Sequence, residues 1–408
     1  MNSLTIFFIN LIFILYGILN ASDTSNINLA EAEFSIHHGN DYNMQSLRMK
    51  RAMSTELKYP WKFPIQFYIA DDINTTAVRV GLKRFEKYTC LRFKEECFEL
   101  GRHQGIRFFR GKGCASSLGK VFENEPQGLS LAYTCDTPGT VQQTMGHALG
   151  MLREQRRTDK SEYVQNKLWN VNVTYIGKFM KKNASNTYGV PYDLGSGMHS
   201  ARDGYSVNGK DTILPLDKSF IRTMGQIEFS FNDYKLLNIY YCDHKCPIKL
   251  PCKNYGYTDP NACEKCRCPT FYGGKLCQKR RVSDKGCPRA EVLLDQREAS
   301  FTIVGKKTCF FYITTGEQYR IKVRVGSSSR MYENKESKNF CPVGKALEIR
   351  HIQDKGSTGA MFCGNFNGIA TLSQSNYTNI KYVGTSAEDR LHLILLREPV
   401  SKLESGHN

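Results

Sequence analysis

The stretch from Thr140 to Arg157, TVQQTMGHALGMLREQRR, groups the side chains of this chain best spaced for chemistry. His147 follows Gln143 by four residues, and Gly150 and Arg153 follow at intervals of three. On a helix, positions four apart share one face. Two histidines so placed grip one zinc ion, with a glutamate beside the first as general base. A glycine just past the helix takes a left-handed turn and lets a third ligand reach the metal. Here the spacing carries other chemistry. Gln143 is a neutral amide and a poor zinc ligand, and Thr144 has no group that titrates near neutral pH to activate a water. Two plainer readings stand beside this one. Gln143 lies three residues after Thr140, the spacing of a capping box at a helix start. A single histidine such as His147 is also more often a hydrogen-bonded core residue than a ligand.

Set out in full, the stretch resembles the active-site helix of the astacin zinc peptidases, H-E-x-x-H-x-x-G-x-x-H-E. The resemblance implies that His147 is the one ligand position retained, with Gln143 and Arg153 in place of the other two histidines. Thr144 then occupies the general-base position, and Arg153 puts a permanent charge where zinc would sit. "PYDLGSGMHS" at 191–200 resembles the family's Met-turn, with Met198 in place and Ser200 where a tyrosine able to contact the metal is expected. Gly150, Glu154, Met198, Gly195 and the framing cysteines, which build the family scaffold, remain. The expected domain offers only His103 and His199 besides His147, neither at helical ligand spacing. The implied cofactor state is none, with zinc as the alternative.

The elements that must position these residues are legible around them. "YPWKFPIQFYIA" alternates like a first strand, and "VGLKRFEKYTCLRF" has helical spacing followed by an extended piece. "GCASSLGK" at 113–120 and "LSLAYTC" at 129–135 match the family's strands before the helix, and "GQIEFSFNDYKLLNIYYC" at 225–242 closes the domain. The expected fold is multidomain α+β: a two-lobed astacin-like metzincin domain at 52–243, a disulfide-rich EGF-like module at 244–278 and an all-β CUB sandwich at 287–397. A tail at 398–408 follows.

At 408 residues the chain has room for two or three domains. Leu4 to Leu19 is an apolar run ending before Ala21 and Ser22, which reads as a signal peptide over 1–22. No other stretch is apolar and long enough to span a membrane. Residues 23–51 are polar and end in Arg48-Met49-Lys50-Arg51, read as a propeptide cleaved after Arg51 to leave Ala52 as N-terminus. Astacin propeptides carry F-x-G-D, whose aspartate caps the zinc; Gly39-Asn40-Asp41 is too loose a match for that role. Fifteen cysteines in an exported chain imply disulfides, and sequons stand at Asn74, Asn172, Asn183 and Asn376. A net charge of +17 favours acidic glycans or anionic matrix outside the cell. No nucleic-acid reading motif is present.

The astacin resemblance implies Cys90–Cys242 and Cys114–Cys135. The EGF resemblance of residues 246–277 implies Cys246–Cys263, Cys252–Cys266 and Cys268–Cys277; a structural zinc cluster from Cys263, Cys266 and Cys268 is the competing reading. "LEIR", "MFCG" and short strands with turn signals between them resemble a CUB domain, implying Cys287–Cys309 and Cys341–Cys363. Lys345, where such domains place an aspartate, implies no calcium site. Cys97 is left over, read as a buried free thiol with an intermolecular bridge as the alternative.

Together these readings predict a secreted, extracellular, catalytically inactive protein of astacin type, binding peptide or protein partners through a retained cleft and its accessory modules. The alternatives are a zinc metalloendopeptidase with an atypical site, and a basic matrix or glycan-binding component.

Overall fold

The chain enters the fold beside the candidate helix. Strand β1 (Met53–Ser54) pairs with Ser185–Asn186, and Ser54 N donates to Gly150 O at 3.0 Å. The computed structural model describes residues 52–182, 185–329, 331–332 and 340–401. The expected signal peptide, propeptide, Arg51 site, Asn183 and the tail from 402 lie outside the described residues.

Strand β2 (Ile65–Ile69) is IQFYI, and its alternate residues Ile65, Phe67 and Ile69 turn to the core. It runs parallel to β3 (Phe93–Glu95) on one side and to β4 (Gly105–Arg110) on the other. Parallel neighbours need a crossover, and helix α1 (Thr75–Tyr88) supplies the first. Asn74 caps it, accepting from Ala77 N at 3.1 Å. Two further strands, β5 (Ala115–Ser116) and β6 (Pro126–Leu131), complete the order β3-β2-β4-β6-β5, in which β5 alone is antiparallel and lies on the free edge. Helix α2 (Pro138–Ala148) packs closely on α1: a Cβ on Gly81 would come within 2.7 Å of Val141 Cγ1. A third helix, α3 (Phe231–Cys242), starts on a capping box between Ser230 and Asp233.

Sheet and helices share one apolar cluster that includes Ile65, Phe85, Phe108, Met145, Met198 and Leu237. A second cluster crosses a module boundary. It joins Phe179, Leu194, Phe220 and Met224, from the segment after α2, to Leu347, Ile349 and Leu393 of the C-terminal sandwich. That sandwich has a five-stranded sheet (Glu291–Leu293, Thr308–Thr314, Tyr377–Val383, Leu347–Arg350, Ala360–Phe362). Facing it is a four-stranded sheet (Glu298–Val304, Arg390–Pro399, Tyr319–Ser329, Ala370–Leu372). Its last strand ends at Pro399, two residues past the expected boundary.

Hydrogen bonds stitch the same boundary. Thr358 N donates to Asp193 at 3.2 Å, Met361 N to Thr223 Oγ1 at 2.9 Å, and His351 Nε2 lies 2.7 Å from Asp217. The short segment between the two larger parts is tied to both: Asn261 Nδ2 donates to Thr89 O at 3.0 Å, and Asn379 Nδ2 to Tyr272 OH at 3.0 Å. A shared core of this kind should melt as one unit. Unfolding followed by tryptophan fluorescence and by far-UV circular dichroism is expected to coincide, and residues 52–280 expressed without the sandwich should not fold. Two separated transitions, or a native soluble fragment, would contradict the shared core.

Among the described residues the disulfides are Cys90–Cys242, Cys114–Cys135, Cys246–Cys263, Cys252–Cys266, Cys268–Cys277, Cys287–Cys309 and Cys341–Cys363. The first ties the end of α1 to the end of α3 across 152 residues, a loop worth about 5 kcal/mol in the chain-entropy description. With Cys263, Cys266 and Cys268 all bridged, none is a thiolate for a structural metal. Cys97 is unpaired but exposed, which corrects the expected burial. It follows the edge strand β3 in an irregular segment at the surface, and Phe98 beside it is 83% exposed.

Candidate functional site

Helix α2 begins three residues before the expected capping box. Thr137 is its N-cap, accepting from Thr140 N at 3.3 Å, and Pro138 fills the first turn, where its missing N–H costs nothing. Gln143 therefore falls in the second turn, too far along to cap the helix. Its Nε2 instead donates to Gly197 O at 2.7 Å and ties α2 to the turn at 193–199. Thr144, one residue on, is buried, and its hydroxyl donates to Thr140 O at 2.8 Å within its own helix. That is the habit of a mid-helix threonine.

The helix ends at Ala148, and Gly150 with φ +93° turns the chain back. This conformation suits glycine. Arg153 then lines the same pocket as Gln143. Next, Glu154 anchors the scaffold: its N donates to Met198 O at 3.0 Å, and its Oε1 accepts from Asp193 N at 3.0 Å and from Arg157 Nη1 at 2.9 Å. Arg157 is fully buried and also reaches Asp159 at 2.8 Å.

The methionine turn is held from α3. Ser196 Oγ donates to Asp233 at 2.6 Å and Gly197 N to its other oxygen at 2.9 Å. Met198 packs under the helix so closely that a Cβ on Gly146 would sit 3.1 Å from its sulfur. Ser200 is buried and held by Gln155, whose Nε2 donates to Ser200 Oγ at 2.6 Å while Oε1 accepts from Ser200 N at 3.1 Å.

Between α2 and this turn lies a pocket of about 270 Å³ that includes Gln143, Arg153, His199, Ser200 and Tyr205 in its wall. His147 is half-buried. Burial first, then the positive charges of Arg153, Lys178 and Arg156, push its imidazole down to about 3. His199 is buried between Tyr192 OH and Ser200 O, each 2.8 Å away, and burial likewise lowers it to about 4. Both imidazoles are neutral at physiological pH.

The metal implied by the helix pattern does not fit these residues. Its three donors would be an amide already bonded to Gly197, one imidazole, and a guanidinium, which is a cation without a lone pair to give. Thr144 cannot serve as base, and Ser200 faces Gln155. No step of metal-assisted hydrolysis follows from this set.

A parallel sheet with one antiparallel edge, a long helix closed by a glycine turn, and a methionine turn beneath it define a metallopeptidase-type fold. Residues 53–242 match the family model Astacin, a peptidase family. Through them the chain belongs to the astacin family. Zinc metalloproteinase nas-34 of Caenorhabditis elegans is 34% identical over 369 residues, covering 88% of this chain and 59% of its own. Zinc metalloproteinase nas-37 of the same organism is 32% identical over 302 residues, 73% of this chain and 38% of its own. The chain thus spans less than two thirds of the length of these curated relatives. High choriolytic enzyme 1, a hatching enzyme zinc-protease from Oryzias latipes, is 27% identical with a TM-score of 0.40, covering 50% of this chain and 98% of that one.

Sequence reasoning missed Gln155, Tyr205, Arg156 and Lys178 as parts of this site. Gln155 gives no signal beyond its place after Glu154, whereas the basic run Arg153, Arg156, Arg157 does carry one.

The neutral histidines make a pH prediction. His199 titrates near 6.5 when unfolded and near 4 when folded. Its contribution to stability is therefore complete above pH 6.5 and is lost as pH falls toward 4, by about 1.4 kcal/mol per pH unit. Replacing it isolates the effect from other titrating groups. The stability gap between the wild type and His199→Gln should narrow by about 3 kcal/mol across that window in urea titrations. A gap that does not change with pH would show that His199 is not buried neutral.

Proposed function

We propose that this is a secreted astacin-family protein without peptidase activity, which binds extracellular peptides or proteins along a retained cleft. In this reading residues 1–22 are a signal peptide and 23–51 a propeptide removed after Arg51. The segment 244–278 is an EGF-like module, 287–397 a CUB domain, and Asn74, Asn172, Asn183 and Asn376 carry glycans. The observation that carries the proposal is the chemistry at the two positions where the family pattern places metal-binding histidines. One is now an amide committed to Gly197, and the other a cation with no ion pair among the described residues. Edge strand β5 supports the binding half: a free antiparallel edge accepts an extended peptide through backbone hydrogen bonds, which need no metal. The names of the relatives favour the alternative, a zinc-dependent endopeptidase with an atypical site. The net charge of +17 favours a basic matrix or glycan-binding component as a further alternative. Metal removal separates the first two. Peptide binding measured before and after dialysis against a chelator is expected to be unchanged, whereas loss of binding that zinc restores would favour the enzyme.

A further inference from the structure

We propose that the pocket between α2 and the methionine turn is a carboxylate receptor, in which the guanidinium of Arg153 holds an acidic group of a peptide lying in the cleft. This deepens the binding reading above and rests on it. Among the described residues, Arg153 is the only one of the pocket wall that carries a formal charge at neutral pH. Among the described residues it has no ion pair, in contrast to Arg157 four positions on, which is saturated by Glu154 and Asp159. Two other half-buried arginines of the domain are matched, Arg110 by Asp136 at 3.0 Å and Arg202 by Asp211 at 3.5 Å, while Arg156 Nε donates to the backbone oxygen of Met180 at 3.3 Å. A guanidinium facing a cavity without a counter-charge loses solvation and gains nothing until an anion arrives.

The surroundings add to that potential. The charged neighbours acting on the imidazoles of His147 and His199 are Arg153, Arg156, Lys160 and Lys178, all cations. Tyr205, beside Arg153, offers a phenol as a second donor, and its own backbone is held at φ +62°, an uncommon conformation for a residue with a side chain. The planar fork of a guanidinium matches a carboxylate in geometry as well as charge. The occupant that suits a pocket of about 270 Å³ is one acidic group on an extended chain. A sulfated glycan would need a row of cations on an open face.

The test uses the full secreted protein and three labelled hexapeptides of otherwise neutral sequence: an amide with a central Glu, the same amide with Gln, and the Gln peptide with a free C-terminal carboxylate. Fluorescence polarisation is expected to show at least one acidic peptide binding about tenfold or more tighter than the neutral amide. Whichever acidic peptide gains the advantage identifies a side chain or a chain terminus as the source. The advantage should fall to within about twofold in Arg153→Gln and survive in part in Arg153→Lys. Equal binding of acidic and neutral peptides by the wild type would overturn the receptor while leaving the cleft reading intact. No binding by any of the three would remove the cleft reading and the receptor with it. An acidic preference that persists in Arg153→Gln, and that heparin oligosaccharide abolishes in both proteins, would assign it to the basic surface and overturn the receptor.

Discussion

Histidine at positions 143 and 153 together is expected to give a protein that holds one zinc ion per chain. Helix α2 puts residues 143 and 147 one turn apart, and the Gly150 turn already brings residue 153 into the pocket that Gln143 lines. Positions 143 and 153 thus share one pocket wall, of which His147 is not a part, and the double variant tests whether its imidazole can join them. Arg153 is the larger obstacle. Unit charges 4 Å apart interact by about 4 kcal/mol at an effective dielectric of 20, and a divalent ion doubles the repulsion. Gln143→His alone should therefore gain little, and it gives up the bond to Gly197 O as well. The pair of substitutions should raise affinity by more than about a thousandfold, since even a supporting partner of a ligand is worth about 10–100-fold. Hydrolysis needs more: Thr144→Glu must leave the buried bond to Thr140 O, and Ser200→Tyr must displace Gln155. The quadruple variant is expected to cleave peptides slowly, and only with the glutamate in place. A double-histidine variant that folds, secretes and still takes up no zinc would show that residues 143–153 do not correspond to the metal helix.

Two arginines four residues apart should respond to the same change in opposite ways. Arg157 is buried against two carboxylates, so Arg157→Met leaves Glu154 and Asp159 as uncompensated buried charges. Breaking such a network costs about 3–5 kcal/mol. Arg153→Met removes a cation that has no ion pair among the described residues, and should be neutral or mildly stabilising, as is common where a site keeps a costly group for function. Urea midpoints of the two variants give the comparison directly. Equal losses would mean that Arg153 is structural, held by contacts outside its pocket.

Much of the frame is legible without coordinates. IQFYI alternates because one face of β2 lies on the core, and the segment before Cys90 has the helical period of α1 for the same reason. Gly150 reads as a turn because few residues other than glycine sit comfortably at positive φ. Side-chain commitment is what sequence does not carry. Gln143 has the spacing of a partner for Thr140, yet a helix start at Thr137 moves it out of capping range and gives its amide to Gly197. The bond between Gln155 and Ser200 joins residues 45 apart in sequence and leaves no local pattern. Burial is the usual state of a free cysteine, while the edge position of β3 decides otherwise for Cys97. The core shared with the sandwich is equally invisible, since each strand reads as apolar whichever neighbour it meets.

The most direct test of the central claim is the zinc content of the unmodified secreted protein, purified without chelators and assayed in parallel on a general peptidase substrate. The residues at positions 143, 144, 153 and 200 predict far less than one zinc per chain and no cleavage above a heat-treated control, with or without added zinc. One zinc per chain together with cleavage that a chelator abolishes would contradict the account outright.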